Sequence, residues 1–166
     1  MNRVFLLLGS NLDNRDMNLR SARGLLDDVA GTIIAASAVY RTAAWGITDQ
    51  PYFYNQAIEL KTSLSPEALL SACLEIERAM GRKRMAKWGE RLIDIDVLFY
   101  GDLVLTSETL QIPHPQIPFR RFTLQPLSEI AADLQHPVLH RSVLQLLEDC
   151  PDPLKVTRIK DQPSEA

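Results

Sequence analysis

The chain has 166 residues, of which 46% are hydrophobic and 23% charged, with a formal net charge of −3. These figures exclude wholesale disorder and collagen-like repetition, and they suit one globular domain with one sizeable core. The acidic balance excludes a general nucleic-acid coat, and the early apolar run Val4 to Leu8 is far short of the roughly 20 residues of a membrane span.

Arg3 to Leu8 reads as a buried strand that ends at Gly9-Ser10-Asn11. A helix follows, because Leu19, Ala22, Leu25, Leu26 and Val29 share one helical face and Gly31 marks its exit. Thr32 to Arg41 is β-branched and small and predicts a second strand. Thr42 to Pro51 reads as a loop, and Asn55 to Thr62 alternates as a third strand. Ser65-Pro66-Glu67 starts a helix with a cap, a first-turn proline and an acid. Leu69, Leu70, Cys73, Ile76, Glu77 and Met80 share its face, and Gly81 ends it. A basic loop leads into a strong strand, Leu92 to Tyr100. Prolines at 113, 115, 118, 126 and 137 then predict turns and short helices, Arg141 to Glu148 a helix, and Pro151 to Ala166 a polar end.

The order β-α-β-β-α-β predicts an α+β fold: a ferredoxin-like unit with an antiparallel sheet and helices packed on it, plus a Pro-rich C-terminal part. Residues 1–160 are expected to form a single domain and 161–166 a polar tail. Cys73 and Cys150 have no metal spacing and no disulfide framework, so they read as free thiols of a cytoplasmic protein. GSNLDNR has the wrong spacing for a phosphate-binding glycine loop, so any nucleotide must be held by side chains.

Asp94 and Asp96 carry the strongest chemical signal. Strand side chains alternate, so both carboxylates point to one face with Leu92 and Leu98, while Ile93, Ile95, Val97 and Phe99 line the other. At a rise of roughly 3.3 Å per residue the two lie about 6–7 Å apart. Paired hard oxygen ligands can hold one or two Mg²⁺ ions shared with phosphates; the plain alternative is two surface acids paired with arginines. The preceding segment, Arg78 to Arg91, holds six basic residues and one acid, so it carries +5 and the rest of the chain −8. A solvated turn would satisfy that charge. So would a grip on one polyanion, since arginine holds phosphate bidentately and lysine as a point charge. Metal ligands and phosphate clamps would then be adjacent in the chain, as a metal–polyphosphate site requires.

The run Lys87-Trp88-Gly89-Glu90-Arg91-Leu92-Ile93-Asp94-Ile95-Asp96-Val97-Leu98 resembles the signature of the 6-hydroxymethyl-7,8-dihydropterin pyrophosphokinase family. GSNL, YRT, DQPYFYN, IERAMGRKR and IPHPQIPFRRFTLQPLSEIA extend the resemblance over roughly residues 3 to 135, in the family's order. It implies transfer of pyrophosphate from ATP to the hydroxymethyl group of the reduced pterin, with release of AMP, in folate biosynthesis. By the same resemblance Asp94 and Asp96 hold two Mg²⁺ ions against ATP. Arg82 and Arg91 stabilise the transferring group, with Arg84, Lys87 and Trp88 in the loop that closes over it. His114 and Arg120 contact ATP, and Glu77, a helix-borne acid near the site, is counted among the ATP-binding residues. Phe53 and Phe122 sandwich the pterin, Asn55 bonds its edge, and Thr42 and Trp45 mark the loop that completes its recognition.

By their own chemistry these residues say less. Phe53 and Phe122 read as core, His114 as a turn histidine, Asn55 as a turn residue and Glu77 with Arg82 as a helix-end ion pair. The chain departs from many family members in a shorter Met85-Ala86-Lys87 stretch, in Lys87 for Arg, in Phe53 for Tyr and in Ala43-Ala44 for prolines. Two rival functions use the same residues: a nucleotidyl transferase that releases pyrophosphate, and a non-enzymatic module whose basic loop binds an acidic partner. The expected partners are ATP and the pterin, without nucleic acid or membrane, for a monomeric chain.

Overall fold

The computed structural model describes residues 1–42, 52–81 and 92–159. In chain order its elements are β1 (Asn2–Ser10), α1 (Arg15–Val29), β2 (Thr32–Ala36), β3 (Tyr40–Thr42), β4 (Phe53–Thr62), α2 (Pro66–Ala79), β5 (Asp94–Tyr100), β6 (Leu105–Thr106), β7 (Gln111–Ile112), α3 (Arg121–Ala131), α4 (Val143–Glu148) and β8 (Val156–Arg158).

Every residue of β1 from Val4 to Ser10 is buried, so this strand must be covered on both faces. It lies between β5 and β4, and the main sheet runs β5-β1-β4-β3-β8, with β2 also paired to β4. All strand pairings among the described residues are antiparallel. On one face Val4, Leu6, Leu8, Ile58, Ile95 and Val97 pack with Leu19 and Leu26 of α1 and Leu69 and Cys73 of α2. On the other, Phe5, Leu7, Ala57 and Phe99 pack with Leu124 and Leu127 of α3 and Val143 and Leu146 of α4. The fold is thus a mixed one, four helices on an antiparallel sheet.

Local chemistry explains the helix starts. Asn14 caps α1 by accepting the Met17 N–H at 3.0 Å, and Ser65 caps α2 by accepting the Ala68 N–H at 3.1 Å, with Pro66 and Glu67 in its first turn. Gly31 follows α1 because space demands it: a Cβ there would stand 2.1 Å from the Lys61 carbonyl oxygen. Cys73 and Cys150 are both buried free thiols.

Five expectations need correction. The stretch 32–41 is two strands, because the chain leaves the ladder at Ser37, whose hydroxyl accepts the Ala57 N–H while its own N–H bonds the Ala57 carbonyl. Val29 is 56% exposed, since α1 turns only Leu19, Ala22 and Leu26 fully inward. Phe99 lies on the α3 face with Leu98. The pairing shifts from Leu6↔Val97 to Phe5↔Phe99, so one extra residue in β5 reverses the alternation beyond Val97. The polar end, for which the sequence predicts no element, carries β8, which adds a strand against β3. Of the loop expected over 42–51, Thr42 ends β3 instead; residues 43–51, the basic loop over 82–91 and the tail from 161 lie outside the described residues. No helix among the described residues is long and apolar enough to cross a membrane.

Candidate active site

Residues directly paired across a sheet share a face, so the register assembles the site. One row runs Asp94, Gly9, Asn55, Tyr40 across β5, β1, β4 and β3. The next runs Asp96, Leu7, Ala57, and Leu7 and Ala57 belong to the core under α3. Phe53 pairs with Thr42 at the far end of the same face. The two aspartates and the three pterin candidates carried by described strands, Thr42, Phe53 and Asn55, therefore share the α3 side of the sheet. With neighbouring strands about 4.7–4.9 Å apart, the Asp94 and Asn55 backbones stand about 9–10 Å from each other.

The facing wall begins where α3 starts. Arg120 precedes its first turn, and its guanidinium carbon stands 5.5 Å from the ring centre of Phe122. Phe122 packs on the edge of the core formed by Phe5, Leu7 and Ala57. His114 approaches from the turn after β7, tied to β5 by its N–H, which donates to the Leu98 carbonyl at 3.0 Å. Its Nδ1 accepts the Gln116 N–H at 3.1 Å. That bond fixes a neutral imidazole with Nε2 as the donor.

Charges at the site follow from burial. Burial pushes the His114 imidazole down to about 4, and the Arg120 cation adds to the shift. Burial lowers Arg120 as well, against the Asp96 and Asp152 carboxylates, which favour its charge. Beneath the sheet, burial first and then Glu77 and Asp96 push the Cys73 thiol up to about 12, so it stays protonated and unreactive. Thr42 Oγ1 is buried without a hydrogen-bond partner among the described residues.

Glu77 reaches the site from the other layer. It is buried on α2, and its Oε2 accepts the Ile95 N–H at 2.8 Å, between the two aspartates. Trp45, Arg82, Arg84, Lys87, Trp88 and Arg91 lie outside the described residues.

Two supports went unread in the sequence. Asp152 is buried and acts as the cap that Arg120 does not supply: its Oδ2 accepts the Arg121 N–H at 3.0 Å. The Arg121 side chain returns the contact, donating to the Asp152 and Cys150 carbonyls at 3.2 and 3.0 Å. Glu129 of α3 accepts from the Ala38 N–H at 3.0 Å and the Tyr40 hydroxyl at 2.7 Å, locking the helix onto the strand beside Asn55. A partner 31 or 89 residues away gives no local pattern to read.

Comparison with known proteins shows the family. Residues 5–132 match the family described as 7,8-dihydro-6-hydroxymethylpterin-pyrophosphokinase. A 2-amino-4-hydroxy-6-hydroxymethyldihydropteridine pyrophosphokinase from Methylorubrum extorquens is 46% identical over 135 residues, covering 81% of this chain and 85% of the relative. One of the same name from Bacillus subtilis is 39% identical over 81% of both chains. Among solved structures, the wild-type HPPK-DHPS of Plasmodium falciparum superposes with a TM-score of 0.73 at 18% identity, over 89% of this chain. This chain spans only 44% of that longer one, so the likeness concerns the fold of one part. The match over residues 5–132 takes in both aspartates and the aromatic pair, and on it the chain belongs to the 7,8-dihydro-6-hydroxymethylpterin-pyrophosphokinase family.

Proposed function

We propose that the chain transfers the terminal diphosphate of ATP to the hydroxymethyl oxygen of 6-hydroxymethyl-7,8-dihydropterin, giving the pterin diphosphate and AMP. The observation that carries this reading is the shared sheet face, with Asp94 and Asp96 at one end and Asn55, Phe53 and Thr42 at the other. Such a face suits a flat heterocycle held at one end and a polyphosphate at the other. The family membership supplies the reaction.

The donor chemistry fits Mg²⁺. Asp94 and Asp96 are half-buried carboxylates on one face, the hard oxygen ligands that this ion prefers. They would hold two Mg²⁺ ions, which when bound neutralise part of the triphosphate charge. The remaining charge is met by cations. Arg120 stands within the field of Asp96, and the resemblance gives Arg82, Arg84, Lys87 and Arg91 the same task, with Trp88 among them. His114 serves as a neutral donor through Nε2, because its other nitrogen is engaged by Gln116. Glu77, which the resemblance sets among the ATP contacts, also positions the aspartates through Ile95. Phe53 and Phe122 sandwich the pterin ring, and Asn55 reads its amide edge. The resemblance puts Thr42 and Trp45 at that end, where the buried Thr42 hydroxyl has no hydrogen-bond partner among the described residues.

In the reaction the hydroxymethyl oxygen attacks the β-phosphorus of ATP. The bond from that phosphorus to the αβ-bridging oxygen breaks, AMP leaves with that oxygen, and the hydroxyl proton is lost. The contribution of the protein is positioning and charge neutralisation, as for phosphoryl transfer in general. The order β-α-β-β-α-β, with β2 and β3 together as its second strand, supports reading residues 1–100 as a ferredoxin-like unit. The chain is read as a cytoplasmic monomer.

The test is the nucleotide produced from ATP, Mg²⁺ and the pterin, separated by anion exchange. One AMP per pterin consumed is expected; ADP or free pyrophosphate would contradict the assignment.

A further inference from the structure

Gly9 stands inside β1, where glycine is a poor choice, having no side chain to pack and a larger entropy to lose. Its backbone does not call for it. The positive-φ glycines among the described residues are Gly81 and Gly101, and Gly9 sits in the regular ladder between Asn55 and Asp94. What calls for glycine is space. A Cβ at this position would stand 2.9 Å from Asn55 Oδ1 and 3.8 Å from Phe53 Cδ1. The first distance is closer than side-chain carbons come to an oxygen; the second is ordinary contact.

We propose that Gly9 is a positioning residue whose bare Cα seats the Asn55 amide. The buried amide is turned toward the neighbouring strand, with Oδ1 nearer than Cγ to the place a Gly9 Cβ would take. That posture sets which way the carbonyl and the NH₂ present themselves to a ring resting on Phe53. A methyl group at position 9 turns the amide aside without disturbing the sheet, because the atom it meets is the end of a side chain rather than backbone. Gly9 thus acts on ring recognition through Asn55. This rests on the preceding reading of Asn55 as a pterin contact.

The experiment combines Gly9→Ala, Asn55→Ala and the double variant. Side-chain amide NMR signals of the free protein report on Asn55 directly, and titrations report affinity for 6-hydroxymethyl-7,8-dihydropterin and for a non-hydrolysable ATP analogue. In Gly9→Ala the Asn55 NH₂ signals should shift more than those of other Asn and Gln side chains. Pterin affinity should fall about tenfold, and that for the ATP analogue should stay within twofold. In the Asn55→Ala background, adding Gly9→Ala should change pterin affinity by less than twofold. Unmoved Asn55 signals, or the same tenfold loss in both backgrounds, would overturn the inference. Should Asn55→Ala bind pterin normally while Gly9→Ala still moves the Asn55 signals, the seating stands and the preceding reading of Asn55 fails.

Discussion

Glu77 accepts the backbone N–H of Ile95 at 2.8 Å, and Ile95 is the residue between Asp94 and Asp96. β5 lies at the end of the sheet, so its outward N–H groups have no strand to bond. A buried carboxylate from α2 meets this need at the point where both aspartates must be held.

Glu77→Ala should leave the Ile95 N–H without that partner and cost about 1–3 kcal/mol of stability, the usual penalty for a buried unmet group. Turnover should fall with it, because the strand that presents the aspartates is loosened. Glu77→Gln keeps an accepting oxygen and should recover most of both. Denaturant melts and steady-state rates on the two variants check this; equal losses for Gln and Ala would show that the charge matters and not the hydrogen bond.

His114 makes stability depend on pH in a predictable direction. The fold holds the imidazole neutral down to about 4, whereas the unfolded chain protonates it near 6.5. Between those values the unfolded state binds more protons. The contribution is therefore whole above about 6.5 and is lost as pH falls towards 4. His136, also lowered by burial and by His140, works in the same direction. In His114→Asn the amide oxygen can still accept the Gln116 N–H but does not titrate. The drop in melting temperature between pH 7 and pH 4.5 should be smaller in that variant. An unchanged drop would contradict a buried neutral His114.

Asp94→Asn and Asp96→Asn should each keep the fold and lower turnover by about a hundredfold or more, the scale seen when a group facing developing charge is removed. Circular dichroism and rates over a Mg²⁺ series test this. Near-normal turnover at moderate Mg²⁺ in either variant would remove the metal reading.

The main strands and both helices of the first hundred residues were legible because apolar spacing and capping residues are local signals. So was the aspartate pair, since alternation alone puts two residues of one strand on one face. Local signals fail where distant partners decide. Ser37 breaks a strand that composition favours, by bonding Ala57 across the sheet. The extra residue at Leu98 turns Phe99 over, and no alternation rule foresees it. The start of α3 is capped by Asp152 from a segment that reads as a polar end, so neither the start of that helix nor the placing of Arg120 and Phe122 beside it showed in local sequence. By their own chemistry Phe53 and Asn55 read as a core and a turn residue; it is the register that puts them in line with Thr42 and Asp94.

Phe122→Ala should weaken pterin binding by about 1–3 kcal/mol, the scale of aromatic–base stacking, and leave ATP binding nearly unchanged. Phe122 also borders the core under α3, so the melting temperature is measured alongside. Calorimetric titration with each ligand decides; equal losses for pterin and nucleotide would mark it as a packing residue only.

The central claim is that the pterin oxygen attacks the β-phosphorus of ATP and that AMP is the leaving group. ATP carrying ¹⁸O in the αβ-bridging position tests it most directly, read by the isotope shift in phosphorus NMR. Attack at the β-phosphorus leaves the label on the AMP phosphorus and forms an unlabelled pterin diphosphate. Label found in released pyrophosphate, with the pterin joined to AMP, would show attack at the α-phosphorus and contradict the account.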